Sequence, residues 1–88
     1  MISIEKIDNN SFKVSVVKDS STEHIVLLND HFHQNISNNK LTKSELITKS
    51  FEFLLERESN QSILKKFNLE VISQYFPEYI DEIKKLIL

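Results

Sequence analysis

Ile2-Ser3-Ile4-Glu5-Lys6-Ile7-Asp8-Asn9-Asn10-Ser11-Phe12-Lys13-Val14-Ser15-Val16-Val17 alternates apolar and polar side chains on both sides of an Asp-Asn-Asn break. That stretch decides the fold. Period-two alternation sends successive side chains to opposite faces of a strand. Ile2 and Ile4 share one face of a first strand, and Phe12, Val14 and Val16 share one face of a second. Asp8-Asn9-Asn10 is the turn, because Asn tolerates the left-handed conformation best after glycine. A three-residue loop pairs Ile7 with Ser11, Ile4 with Val14 and Ile2 with Val16. A two-residue loop would set Ile4 against Ser15 and break up the apolar face, so the three-residue loop is expected.

The same rule places a third strand at about residues 22–28. A Ser20-Ser21 loop pairs Lys18 with Glu23, Val16 with Ile25 and Val14 with Leu27, joining opposite charges across the strands. The predicted inner face is Ile2, Ile4, Phe12, Val14, Val16, Ile25 and Leu27. The outer face then carries Ile7, Val17, Val26 and Leu28 among Ser3, Glu5, Lys13, Ser15 and His24. A third strand that is apolar on both sides reads as part of a covered sheet. Ile7, Val17, Val26 and Leu28 are therefore the expected partner-facing residues.

Downstream the period changes to that of helices. Thr42-Lys43-Ser44-Glu45 is a capping box, and Leu41 with Leu46 is placed as a hydrophobic staple. The pattern predicts a helix over about 42–58 with Leu46, Ile47, Phe51, Leu54 and Leu55 as its apolar stripe. Ser50 is small enough there to permit close approach, and Glu45 and Lys49 sit as an i,i+4 ion pair. Phe53 falls off the stripe and needs cover from later helices or from a partner. Ser59 is positioned to cap a short helical turn carrying Ile63, Leu64 and Phe67, and Asn68 to cap the next, with Phe67 and Ile72 as a second staple. Pro77 suits the first position of a final helix whose stripe is Tyr79/Ile80, Ile83 and Leu86/Ile87.

The expected architecture is α+β in a single domain over residues 1–88. A three-stranded antiparallel meander (about 2–28) is packed on one face by a long helix (about 42–58) and two or three short C-terminal helices (about 60–87). The motifs Ser50-Phe51-x-Phe53-Leu54-Leu55-Glu56-Arg57-Glu58, Ser62-Ile63-Leu64-x-x-Phe67 and Tyr75-Phe76-Pro77-Glu78-Tyr79, with Leu46-Ile47 before them and Ile72 between, resemble a group of small uncharacterised prokaryotic proteins. That resemblance covers about residues 42–83. It implies a compact domain and no particular activity.

Composition removes most function classes. With 88 residues, a net charge of −2 and 40% hydrophobic side chains, the chain supports one small core and is too apolar for a disordered tail. Its apolar runs reach only four residues, as in Ile25-Val26-Leu27-Leu28, so no membrane span is expected. No basic region leads into an apolar stretch at the start, so no secretory signal is read and a cytoplasmic setting is expected. Neither cysteine nor glycine occurs, which excludes disulfides, thiolate zinc sites, phosphate-cradling glycine loops and nucleophile elbows. Any positive-φ position must fall to Asn or Asp.

Candidate chemistry is sparse. His24, His31 and His33 with Asp30 form the one cluster that resembles a metal site, but it offers no fourth ligand, and no metal or cofactor is assigned. Glu52, Glu56 and Glu58 read as a solvated helix face, and Ser50 has no histidine in its own motif. No enzyme is expected, and no small-molecule ligand is implied.

Residues 22–58 read as strand, short helix, turn and longer helix, which resembles the ribbon-helix-helix repressors. The matching segments are His24-Ile25-Val26-Leu27-Leu28, residues 30–36, and Thr42-Lys43-Ser44-Glu45-Leu46-Ile47. That resemblance implies a DNA-binding transcription or antitoxin factor whose paired strands enter the major groove. The first helix is about a turn too short, the strand carries Glu23 with few basic residues, and two earlier strands compete for its edges. A helix-turn-helix at 63–76 fails because Pro77 would break the recognition helix. The preferred expectation is a non-enzymatic interaction module that binds a protein partner or self-associates as a homodimer.

Overall fold

The computed structural model describes residues 1–87. Strands β1 (Ile2–Asp8), β2 (Ser11–Val17) and β3 (Ser21–Leu27) form the antiparallel meander, and a fourth strand, β4 (Lys66–Asn68), adds parallel to β3. Helices α1 (Asp30–Ser37), α2 (Lys43–Leu55), α3 (Ile72–Tyr75) and α4 (Tyr79–Leu86) complete the α+β architecture. Two 3₁₀ turns, Asn60–Ser62 and Leu69–Val71, flank β4.

The first hairpin keeps the predicted pairs Ile2–Val16 and Ile4–Val14, but its tip differs. A bulge sets Asp8 against Ser11, so Ile7 loses its place in the ladder and Asn9-Asn10 alone make the turn. Asp8 holds that turn by accepting from the Asn10 N–H at 2.9 Å. Among the described residues the positive φ values belong instead to Asn38 (51°) and Asn39 (60°), which close α1. A chain without glycine puts asparagine where the left-handed conformation is needed.

The second hairpin corrects the predicted register. Val14 pairs with His24 and Val16 with Thr22, across a Lys18-Asp19-Ser20 loop. Every β3 side chain is thereby turned to the face opposite the predicted one. Val26 and Leu28, expected on the outer face, are fully buried in the core, whereas Ile25 and Leu27 point outward and are half-buried. Lys18 does not meet Glu23; Lys13 does, at 3.2 Å on the outer face.

The predicted helix start at Thr42 is present with both box bonds, Glu45 N–H to Thr42 Oγ1 (3.1 Å) and Thr42 N–H to Glu45 Oε1 (2.9 Å). Its end comes earlier than expected, at Leu55. Leu46, Ile47, Ser50, Phe51, Phe53 and Leu54 are buried, and Lys49 pairs with Glu52 rather than Glu45. Phe53 obtains its cover from Phe76, Tyr79 and the Arg57 guanidinium, which lies 3.6 Å from the ring centroid.

The segment after α2 was expected to be helical and is mostly not. Ile63 and Phe67 are buried from an extended run, Leu64 is exposed, and Asn68 caps the following turn as predicted, accepting from Glu70 N–H at 3.2 Å. Pro77 lies in the turn before α4, which begins two residues later, and Leu86 on the expected stripe is exposed. One hydrophobic cluster joins the inner strand residues Phe12, Val14, Val16 and Val26, with Leu28 just past β3, to Leu46, Ile47 and Phe51 of α2 and to Tyr79 and Ile83 of α4.

Candidate interaction surface

The helices pack on one face of the sheet. All inward residues of β2 and β3 are buried, from Phe12, Val14 and Val16 to Thr22, His24 and Val26, and none of the outward ones is. Across the open face, strand pairing lines up Glu5, Lys13, Ile25 and Lys66 in one row and Ser3, Ser15 and Glu23 in the next. Leu27 follows beside Ser11 and Asn68. Ile25 and Leu27 thus form an apolar centre on an interior strand, bordered by the acid–base groups Glu5, Lys13, Glu23 and Lys66. Lys13 and Lys66 stand on either side of Ile25 in the first row.

Of the expected partner-facing residues, Ile7 (56% exposed) and Val17 (51%) are on the surface, at opposite ends of the first hairpin. Val26 and Leu28 are core residues and leave the set. Ile25 and Leu27 take their place.

The slip that exchanged them has a physical cause. Inward, β3 carries two polar side chains, and both are satisfied by the segment before β4. His24 Nδ1 donates to the Leu64 carbonyl (2.7 Å), and its Nε2 accepts from Thr22 Oγ1 (2.9 Å). Asn60 Nδ2 donates to Thr22 Oγ1 (3.1 Å) and to the Ser20 carbonyl (2.9 Å). A carbonyl only accepts, so Nδ1 carries a hydrogen; burial favours the neutral ring, in which Nε2 is then the acceptor. Burial pushes its pKa down from the ordinary 6.5, with Lys65 adding to the effect and the bond to Leu64 opposing it. The chain of bonds fastens the Asn60–Ser62 turn and β4 to β3. A buried polar pair is worth making only where every group is partnered, and those partners lie about forty residues downstream.

His33, Asp30 and Ser50 are also engaged. His33 Nε2 bonds the Leu41 carbonyl, and Asp30 pairs with Lys43 at 2.6 Å. His24 is enclosed while His31 is exposed, so the candidate metal cluster is dispersed. Lys43 Nζ also donates to the Asn9 carbonyl (2.7 Å) and to Asn10 Oδ1 (3.0 Å), clasping the first hairpin to α2. Ser50 Oγ donates to the Leu46 carbonyl and meets the Tyr79 hydroxyl at 2.6 Å. Burial holds that phenol protonated well above its usual range.

Sequence reasoning missed a hollow of about 120 Å³ between the end of α2, β4 and α3. Leu54, Ile63, Phe67, Ile72 and Phe76 line it, and the exposed Leu64 and Tyr75 stand beside it. No signal for it exists in local periodicity, because a three-residue strand shows less than two full alternations. No protein-family model matches the chain, and neither a curated protein nor a solved structure is significantly similar to it.

Proposed function

We propose that the chain is a small non-enzymatic protein-interaction module that docks another polypeptide on the uncovered face of its sheet, in a cytoplasmic setting. One observation carries this reading: Ile25 and Leu27 lie outward on an interior strand with no helix over them. The bordering charges, of both signs, favour an oriented protein partner over a polyanion. The ribbon-helix-helix alternative is disfavoured, because β3 is hydrogen-bonded to β2 on one side and β4 on the other and has no free edge for a partner ribbon.

The test compares wild type with the Ile25→Lys/Leu27→Lys variant as immobilised baits, after circular dichroism has shown that both fold. The reading expects proteins other than this chain to be retained by wild type and lost by the variant. Identical capture on both baits, or none on wild type, contradicts it. A salt-sensitive shift of mixed DNA by wild type would favour the regulator instead.

A further inference from the structure

We propose that the chain pairs with a second copy of itself through β1, antiparallel, about a two-fold axis at Ile4. The inference goes beyond the open-face reading: it concerns the edge of the same sheet and commits to a second copy of this chain as its occupant.

The direction of the β1 main chain follows from its first bonds. The Met1 amino group donates to the Val17 carbonyl (2.7 Å), and the Val17 N–H donates back to the Met1 carbonyl (2.9 Å). In an antiparallel ladder such mutually bonded pairs alternate. Ser3 and Glu5 therefore also turn their N–H and C=O groups toward β2. Ile2, Ile4 and Lys6 turn theirs outward, off the edge of the sheet. Those groups have no hydrogen-bond partner among the described residues. The edge runs for seven residues and holds no proline; the features that blunt it, Lys6 and the bulge before Asp8, lie at one end.

A second copy must present the same row, and few registers do. An axis at Ile4 sets Ile4 on Ile4 of the second copy and Ile2 on Lys6 of the second copy, which uses every outward group in about six main-chain bonds. An axis at Ser3 or at Glu5 makes only about four. The Glu5 axis also places two carboxylates face to face.

Side chains favour the same choice. With the axis at Ile4, Ser3 stands across from Glu5 of the second copy on the open face, and no like charges oppose one another. On the helix side, the half-buried Ile2 and Ile4 gain cover, and the Lys6 stem lies along Ile2 of the second copy. The product is a doubled, continuous sheet with helices on one side and one enlarged open face on the other. Such an interface is isologous and closes on itself.

The chain has no cysteine, so the register can be read by cross-linking. Ser3 and Glu5 of the second copy form a pair not bonded to each other, with Cα atoms about 4.5 Å apart, within reach of a disulfide. The Ser3→Cys/Glu5→Cys variant is expected to oxidise to a covalent dimer, while Ser3→Cys and Glu5→Cys alone remain single chains. Lys6→Pro removes an exposed N–H that β2 does not use; it is expected to keep the circular dichroism spectrum and to raise the dimer dissociation constant at least about tenfold in sedimentation. Cross-linking of either single variant as complete as that of the double, or none in the double, overturns the proposal. So does a wild-type mass of 10.4 kDa at every concentration up to about 1 mM. A dimer unaffected by Lys6→Pro also overturns it, yet leaves the interaction-module reading standing, since that reading fails only in the bait comparison.

Discussion

The Nε2 atom of His24 accepts a hydrogen bond from Thr22 Oγ1 at 2.9 Å in a site closed to water, which the ring can do only while neutral. In the unfolded chain the ring takes up a proton near its ordinary pKa of 6.5, whereas burial lowers that value in the folded chain. The unfolded state therefore binds more protons as pH falls below about 6.5, and stability is lost from there down until the buried ring also protonates. Denaturant midpoints measured between pH 8 and pH 5 should fall for wild type. The fall should flatten in His24→Gln; an unchanged slope in that variant would remove His24 as its cause.

The register of β3 can be tested with neighbouring residues. Val26→Lys places a charge in the core and should cost roughly 3–5 kcal/mol, most of what a small domain has to lose. Ile25→Lys lies on the open face and should cost about 1 kcal/mol or less. Thermal melting of the two variants checks the order, and the reverse order would return β3 to the register with Val26 outward.

Ser50 and Tyr79 share one buried hydrogen bond at 2.6 Å, and their removal should be strongly non-additive. Ser50→Ala leaves the Tyr79 hydroxyl buried without its partner, at a cost of about 1–3 kcal/mol. Tyr79→Phe leaves Ser50 bonded to the Leu46 carbonyl and should cost less. The double variant should lie closer to Tyr79→Phe than to the sum of the two. Additive losses in denaturant titrations would mean that the pair contributes no coupling.

Thr42→Ala removes the acceptor for the Glu45 N–H and half of the reciprocal box, so about 1 kcal/mol of stability should go with it. A denaturant midpoint equal to that of wild type would show the first turn of α2 held by other contacts.

The parts of the fold legible in sequence are those fixed by neighbours. Thr42 and Glu45 are three residues apart, and their box is present as read. Ile2, Ile4, Val14 and Val16 pair as their alternation requires. The failures occur where distant segments decide. Local pattern favoured Ile25 and Leu27 inward because they are apolar, yet Thr22 and His24 take the inner face once Asn60 and Leu64 satisfy them. Lys65-Lys66-Phe67-Asn68 becomes a strand because it completes β3, not because of its own periodicity. The candidate surface inherited that error: Ile7 and Val17 were legible as exposed, whereas Val26 and Leu28 were assigned to the wrong side of the same strand.

Backbone amide exchange along β1, followed residue by residue in dilute and in concentrated solution, tests most directly whether this sheet is open to a second chain. The account predicts that Glu5, bonded to β2, is protected at both concentrations. Ile4 and Lys6 should exchange freely when dilute and become protected as concentration rises. Ile4 and Lys6 exchanging equally fast at both concentrations while Glu5 stays protected, or concentration-dependent protection confined to the helices, would contradict it.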